Sequence, residues 1–378
     1  MKTQGKESTA ETVVNLLGGQ SALARQLELP TSTVGYWLST GSLPSKWQGK
    51  ILALAKSKGI PLQPCDFIVP CIPQKVGNIC NTGPCIRNFS VAPAPIPIQE
   101  VQKGLFLAEL LKLSETNTVI CFVGVGSAFA KKNDQTSLII AKNRKTILVD
   151  LGQTINQALF RNGMDATDFD YYHLTHAHCD HTGGVEELLL KNHYVLKRKA
   201  KIIISPQFES VLWEHTLKGG CQINEYGMLK FRDLIDPIVP DWVKNQPRET
   251  YQINVDGIHL TIFRTIHTPG DVGQWEEAFW STGLIIDGQV LFSGDTRFDK
   301  TLFTDLDLSQ IESIFHDCQL FTPGNVHAPF EELATLPDSI KEKMYLTHYG
   351  DNYESFDPKG AGFAGFARPF APYCFKQR

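Results

Sequence analysis

The sequence predicts a mixed α/β protein that carries a small all-α module at its N-terminal end. Apolar residues at helical spacing, interrupted by glycine and proline, predict several short helices over residues 9–60. Apolar runs rich in β-branched residues, beginning at residues 118–125, predict the strands of a larger domain. A segment rich in proline and cysteine, residues 64–98, lies between the two regions and favours an extended spacer.

These patterns divide the chain into three parts. We expect a helical module in residues 1–64, a linker with one connecting amphipathic helix in residues 65–115, and the main domain in residues 116–378. The four cysteines of the linker are irregularly spaced and contain no CxxC pair. Reduced thiols are therefore expected there, with a structural zinc site as the alternative. The cysteines are Cys65, Cys71, Cys80 and Cys85.

Composition and charge exclude several classes of protein. The 378 residues are 42% hydrophobic and 20% charged, which excludes a disordered or fibrous chain. The net charge of −4 excludes a globally basic nucleic-acid binder, although residues 1–60 alone carry +4 and the remainder −8. No run of eighteen apolar residues and no apolar signal core occurs, so we expect a cytoplasmic protein without a membrane partner.

The N-terminal module has the pattern of a helix-turn-helix. Helices are predicted over residues 9–17, 21–27 and 31–41, with Thr31 or Ser32 as the cap of the third. The sequence GGQSALARQLELPTSTVGYWLSTGSLPSKW resembles the Cro-like and YdaS-like helix-turn-helix family. That resemblance implies DNA binding, with Lys46 and Lys50 near phosphates. The alternative is a module for docking or dimerisation. The residues implied to face DNA are Ser32, Thr33, Gly35 and Tyr36.

The sequence HAHCDH, residues 176–181, predicts a metal site in the main domain. It places three histidines and a carboxylate within six residues on a loop after an apolar strand. Imidazole nitrogen and carboxylate oxygen suit zinc and similar divalent ions. Two ligand groups on one loop can serve two adjacent metals.

The HxHxDH pattern is the signature of the metallo-β-lactamase superfamily, which this sequence resembles across residues 116–350. The resemblance implies an αββα sandwich and two divalent metal ions, with Zn²⁺ expected and Mn²⁺ as the alternative. Many relatives have ThrProGlyHis where this chain has Thr268-Pro269-Gly270-Asp271, so Asp271 is the alternative to His267 as a ligand. The implied ligands are His176, His178 and His267 for the first metal, Asp180, His181 and His348 for the second, and Asp295 as the bridge.

Three further motifs resemble the branch of ribonuclease Z-like and cyclic-nucleotide phosphodiesterases. They are HDCQ, GNVHA and LTHY, at residues 316–319, 324–328 and 346–349. The resemblance implies hydrolysis of a phosphodiester in a small nucleotide, such as a cyclic nucleotide, by a metal-bridging hydroxide. Asp180 would orient or deprotonate the hydroxide, and His327 would act as the general acid, aided by the His316–Asp317 pair.

No insertion like the tRNA-gripping arm of ribonuclease Z is evident between His181 and His267, so the anti-Pycsar phosphodiesterases, which destroy cyclic-nucleotide signals, look like the nearest functional analogue. We also expect a homodimer. Two other functions stay open: hydrolysis of a lactone, thioester or β-lactam, and a ligand-sensing regulator that binds DNA. Three aromatic residues could stack on a nucleobase or belong to the core. They are Trp275, Phe279 and Trp280.

Overall fold

The computed structural model describes residues 9–41, 43–62, 104–225 and 227–377. The chain divides into two compact units, Met1–Val91 and Ala92–Arg378. Most of the predicted linker and its four cysteines lie outside the described residues, and the domain boundaries stay a prediction.

Four helices form the described part of the first unit, and they include the three expected from the sequence. Their apolar faces meet in one small core that contains Val13, Leu23, Val34, Trp37 and Ile51. Thr31 and Ser32 are not caps as expected, because both lie inside the first turn of their helix and no side chain caps it. The helices are α1 Thr9–Leu16, α2 Gln20–Gln26, α3 Thr31–Thr40 and α4 Ser45–Ser57.

The second unit contains two large β-sheets and a two-stranded hairpin. The first sheet has the strands Asn117–Gly124 (β1), Ser137–Lys142 (β2), Lys145–Val149 (β3), Tyr171–His173 (β4), Ala200–Ile203 (β5), Ile235–Ile238 (β8) and Pro372–Lys376 (β17). The hairpin pairs Ile223–Asn224 (β6) with Gly227–Met228 (β7). The second sheet has the strands Asp241–Val243 (β9), Thr250–Val255 (β10), Ile258–Arg264 (β11), Thr282–Ile286 (β12), Val290–Phe292 (β13), Ser313–Asp317 (β14), Met344–Thr347 (β15) and Gly365–Phe366 (β16).

In the described part of the second unit, one α-helix precedes β1 and nine others connect the strands. They are Leu105–Leu113 (α5), Ile155–Arg161 (α6), Cys179–Thr182 (α7), Val185–Lys191 (α8), Pro206–Leu212 (α9), Lys218–Cys221 (α10), Phe231–Leu234 (α11), Leu302–Asp305 (α12), Phe330–Leu333 (α13) and Asp338–Lys341 (α14). The α5 helix, expected as a connecting segment, packs on the first sheet through Leu110. In the described part of the chain, no helix combines the length and the apolar character that a membrane crossing requires.

Alternating side chains of β1 show how the layers pack. Phe122 faces the second sheet, with its ring centroid 5.0 Å from Phe315 and 6.1 Å from Phe292. Val119 and Cys121 face the opposite way, into a core shared with helices α6, α8 and α9. Full burial of one such side chain contributes about 1.5–3 kcal/mol. The layers are therefore helix, sheet, sheet, helix, which confirms the predicted fold class.

One edge of this sandwich collects the polar residues. Strands β3, β4, β5 and β8 run parallel, and so do β13, β14, β15 and β16. Strands that run in the same direction have their carboxyl ends at the same edge of a sheet. Each candidate ligand follows such an end, as ligand sites in α/β sheets commonly do. Asp150 follows β3, the HAHCDH segment follows β4, and His267, Asp295 and His348 follow β11, β13 and β15.

Candidate metal centre

The structure brings the seven predicted ligands together in two groups. In each group, one ligand atom of every residue lies within 4.8 Å of the others. The first group is exposed at His178, whereas all members of the second group are buried. The assignment of these residues as ligands stays a prediction. The groups are His176, His178 and His267, and Asp180, His181, Asp295 and His348.

The Asp295 carboxylate lies between the two groups. Its Oδ2 atom is 3.2 Å from His181 Nε2 and 3.4 Å from His348 Nε2 in the second group. The same oxygen is 3.8 Å from the Nε2 atoms of His176 and His267 in the first group. One oxygen within 4 Å of four imidazoles is suited to bridge two cations.

Buried polar atoms without partners show that this centre fits metal ions. His176 Nε2, His181 Nε2 and Asp295 Oδ2 are buried and have no hydrogen-bond partner. His181 Nδ1 lies 2.7 Å from Asp150 and donates to it, so the Nε2 lone pair of a neutral His181 points at the carboxylate of Asp180, 3.3 Å away. Several acceptors that face one another in a buried site require a cation between them.

Neighbouring oxygens fix the orientation of two more imidazoles. Thr175 Oγ1 lies 3.1 Å from His176 Nδ1, and the carbonyl oxygen of Val326 lies 2.9 Å from His267 Nδ1. Such partners hold a histidine with its Nε2 lone pair towards a metal. Burial also lowers the pKa of His267 to about 4, despite the opposing charge of Asp295, which keeps the imidazole neutral and able to bind a cation.

In the second group, neighbouring carboxylates raise the pKa of a histidine, whereas in the first group burial lowers the pKa of His267. Burial alone would lower the pKa of His181, but the charges of Asp295, Asp150 and Asp180 outweigh it and raise this pKa well above the usual value. Burial likewise disfavours a charged Asp180, yet His181 and His348 lower the pKa of Asp180 overall. The second group is therefore strongly attractive to positive charge.

The structure distinguishes His267 from its alternative. His267 Nε2 lies 3.1 Å from His178 Nδ1, inside the first group. Asp271 is exposed and belongs to none of the candidate metal groups among the described residues. Its loop is held away by Arg297, whose guanidinium donates to the carbonyl oxygens of Gly270 and Val272. Arg297 therefore holds this loop.

His327, the predicted general acid, lies beside the second group. Its Nδ1 atom is 2.7 Å from Asp317, and its ring stacks on His348 with a centroid distance of 4.7 Å. Burial disfavours the charged imidazole, but Asp317 outweighs burial and raises the pKa of His327 above its ordinary value. The neighbouring His316 points to the opposite face of β14, where its ring stacks on Phe303.

Sequence reasoning missed the role of Asp150, and of the His316–Asp317 pair expected to aid His327, only Asp317 contacts it. Asp150 accepts hydrogen bonds from His181 and from the backbone and hydroxyl groups of Thr175. Asp317 contacts both His327 and His348. Asp150 directly follows the predicted strand Thr146–Val149, and that position at the same edge as HAHCDH was the signal that could have identified it.

Comparison with known proteins identifies the family. The family model described as anti-Pycsar protein Apyc1 matches residues 118–373. The chain belongs to the anti-Pycsar Apyc1 family. The Apyc1 protein of Paenibacillus xerothermodurans is 30% identical over 259 residues, which cover 68% of this chain and 98% of that protein. That of Paenibacillus harenae is 34% identical over 237 residues, which cover 63% and 92%. Family membership confirms the predicted resemblance to anti-Pycsar phosphodiesterases and the prediction of a hydrolytic enzyme.

Solved structures give weaker matches. The metallo-β-lactamase fold protein YhfI from Bacillus subtilis matches with a TM-score of 0.49 and 15% identity over 68% of this chain and 99% of that chain. The short form of human tRNase Z matches with a TM-score of 0.44 and 15% identity over 68% and 98%. Membership in the Apyc1 family rests on the sequence matches and not on these two TM-scores.

The region matched by the Apyc1 family model does not include the N-terminal helices. That these helices contact DNA stays a prediction. In helix α3, Ser32 and Tyr36 are exposed, whereas Thr33 and Gly35 are half-buried. A Cβ atom on Gly35 would lie 2.6 Å from Gln20 Nε2, so Gly35 permits close packing with helix α2. Two of the four predicted residues are thus open to a partner.

Proposed function

We propose that this protein is a metal-dependent phosphodiesterase that hydrolyses a small nucleotide, most simply a cyclic nucleotide. The observation that carries the proposal is the pair of His/Asp groups that share the Asp295 carboxylate. Apyc1 anti-Pycsar proteins are phosphodiesterases that degrade cyclic nucleotides. Two divalent ions in such a centre would lower the pKa of a bound water and neutralise phosphoryl oxygens.

The protein's own residues would hold the ions and move protons. His176, His178 and His267 would bind the first ion, Asp180, His181 and His348 the second, and Asp295 both. Asp180 lies 3.2 Å from His348 and 3.3 Å from His181, so its free carboxylate oxygen can orient or deprotonate the attacking water. Zn²⁺ suits this ligand set, with Mn²⁺ as the alternative.

His327 would donate a proton to the leaving sugar oxygen. Asp317 occupies its Nδ1 atom, and the side chain remains 21% exposed, which leaves Nε2 for a substrate. A positioned acid of this kind contributes about 10²–10⁴-fold to a rate. A protein that only sensed a ligand would not need this proton donor, so His327 favours turnover over the regulator hypothesis.

The test compares Asp180→Ala with Cys179→Ala. Cys179 is exposed next to Asp180 but belongs to none of the metal groups in the described residues, so it provides a matched control. We expect Asp180→Ala to lose metal, measured by elemental analysis, and to lose hydrolysis of cyclic nucleotides and bis(p-nitrophenyl) phosphate. Cys179→Ala should retain both. Unchanged turnover by Asp180→Ala would refute the dinuclear mechanism.

The same assay tests the alternative activities. Nitrocefin, a lactone and a thioester serve as control substrates for the wild-type protein. Hydrolysis of these compounds without hydrolysis of phosphodiesters would favour the alternative hydrolase, and metal binding without any turnover would favour the regulator. A homodimer and a cytoplasmic location belong to the same proposal, and sedimentation analysis and cell fractionation test them.

A second proposal concerns the N-terminal helices, which we propose bind DNA. Helices α2 and α3 pack together, with Gln20 Nε2 donating to Thr31 O at 2.9 Å. This leaves Ser32 exposed and Tyr36 66% exposed on α3, as a recognition helix requires. We expect salt-dependent DNA binding, measured by fluorescence anisotropy, that Tyr36→Ala weakens. Binding unaffected by Tyr36→Ala, or no binding at all, would favour docking or dimerisation.

A further inference from the structure

The three aromatic residues near the metal centre differ sharply in their surroundings. Trp280 packs into the protein: its ring stacks on Phe208 at 5.9 Å, and the guanidinium of Arg264 lies 4.9 Å from its centre. Trp275 lines a cavity of about 590 Å³ with Trp242 and other residues. Phe279 is different, because its side chain is 70% exposed.

The backbone of Phe279 is held firmly although its ring is exposed. Its N–H donates to the carbonyl oxygen of Thr268 at 2.8 Å. Its own carbonyl oxygen accepts from Arg264 Nη2 at 3.2 Å, and the same nitrogen donates to Ala278 at 2.9 Å. The exposed ring is therefore presented from a backbone with little freedom to move.

These contacts place Phe279 beside the first metal group. Thr268 directly follows His267, and Ser281, two residues after Phe279, pairs with His176 in a β-bridge. The segment that carries Phe279 is thus joined to two of the three histidines in that group. The third histidine, His178, is exposed, so this group opens to solvent and a substrate can reach it.

We propose that Phe279 is the platform on which the nucleobase of the substrate stacks. The proposal rests on the phosphodiesterase function proposed above. When the phosphodiester lies at the metal centre, the base extends outward to the residues at its rim. An exposed phenylalanine contributes nothing to the core, and a rigid aromatic side chain loses little conformational entropy when a base stacks on it.

Another exposed ring at the rim is less well placed. Phe321 is 66% exposed and lies on the loop between Asp317 and His327. Its loop is closed by hydrogen bonds between Gln319 and Ala328, and Phe321 lies beyond that closure. Phe129 is 89% exposed, on a loop whose Ser127 N donates to Tyr349 O next to His348. Phe321, Trp242 and Phe129 are therefore competing positions for the base that the experiment has to compare.

The experiment measures kcat and KM of the metal-loaded full-length protein for two compounds. One is a cyclic mononucleotide, and the other is ribose 3′,5′-cyclic phosphate, which lacks the base. We expect Phe279→Ala to raise KM for the nucleotide roughly tenfold, as the loss of one base–aromatic stack typically does, with kcat little changed. The base-free compound should show the same KM as with the wild type, and Phe279→Trp should restore nucleotide binding.

Control variants separate the possible outcomes. Phe160→Ala removes another ring that is 63% exposed, on helix α6, and should leave both KM values unchanged. A nucleotide KM that is the same in the wild type and in Phe279→Ala would overturn the inference. So would an increase in that KM caused by Phe321→Ala, Trp242→Ala or Phe129→Ala instead. Failure of the wild type to hydrolyse either compound would refute the phosphodiesterase proposal itself, and the inference with it.

Discussion

Replacement of Asp150 with asparagine should weaken metal binding without altering any predicted ligand. Asp150 is buried and accepts hydrogen bonds from Thr175 N and Oγ1, both at 2.8 Å, and from His181 Nδ1 at 2.7 Å. Asparagine has the same shape, and its oxygen would stay opposite the backbone N–H of Thr175, because that donor cannot reverse. The Thr175 hydroxyl, which donates to the other carboxylate oxygen, can turn and accept from the amide instead. Its amide nitrogen would however face the Nδ1–H of His181, donor against donor. His181 should then adopt the other tautomer, with its proton on Nε2.

The altered tautomer removes the lone pair that His181 would offer to the metal. Loss of a partner that orients a metal-binding histidine typically reduces metal affinity about 10–100-fold, and we expect a change of that size. Loss of the hydrogen bond to the charged Asp150 should also lower the free energy of unfolding by about 1.5–3 kcal/mol. Competition with a chromophoric chelator measures the affinity, and ¹⁵N NMR of the imidazoles measures the tautomer.

Asp170→Asn provides the matched control. Asp170 accepts hydrogen bonds from the backbone and hydroxyl groups of Thr146 at 3.0 and 3.1 Å, the same pattern as Asp150 with Thr175. It pairs with Lys145 instead of a histidine, and it precedes β4, at the edge of the sheet opposite the site. Asp170→Asn should therefore keep its metal. Wild-type affinity in Asp150→Asn would refute the tautomer argument.

Three further predictions concern pH, buried charge and metal removal. Because Asp317 outweighs burial and raises the pKa of His327, a larger fraction of this acid is protonated at neutral pH than of an ordinary histidine. Hydrolysis should fall as pH rises through that pKa, and His327→Asn should remove this alkaline limb from the rate profile. Arg248 is fully buried and paired with Asp299 and Asp305, so Arg248→Met should cost about 3–5 kcal/mol in chemical unfolding. A chelator should lower the melting temperature, since an ion bound at about 1,000 times its Kd stabilises a fold by about 4 kcal/mol.

Each of these predictions has a control. His259→Asn changes a histidine of β11 that forms a hydrogen bond with Asn254 of β10, and it should leave the pH profile unchanged. Arg232→Met breaks an exposed ion pair with Glu209 and should cost no more than about 1 kcal/mol. Equal losses from Arg248→Met and Arg232→Met would contradict the argument from burial. Zn²⁺ or Mn²⁺ added after chelation should restore the melting temperature, and a melting temperature insensitive to both would count against a structural role of the ions.

Local sequence predicted the helices of the first unit and most of the metal centre. The HAHCDH segment was informative because its ligands lie within six residues and need no long-range contact to be recognised. The choice between His267 and Asp271 was different. Both lie near the end of β11, and only the packing of the loop, held by Arg297, brings His267 to His178 and leaves Asp271 exposed.

The sequence by itself determined the fold class and the residue types of the candidate metal centre, since strand patterns and clustered His and Asp residues are properties of short segments. Only the tertiary structure decided which residues orient those ligands and which aromatic ring is free. Asp150 and His181 are 31 positions apart, and Asp317 acts on His327 across a loop. Trp280 and Phe279 are neighbours in the chain, yet one is packed and the other exposed. Such distinctions depend on which side chains meet when two sheets pack, and no pattern in a single segment contains that information.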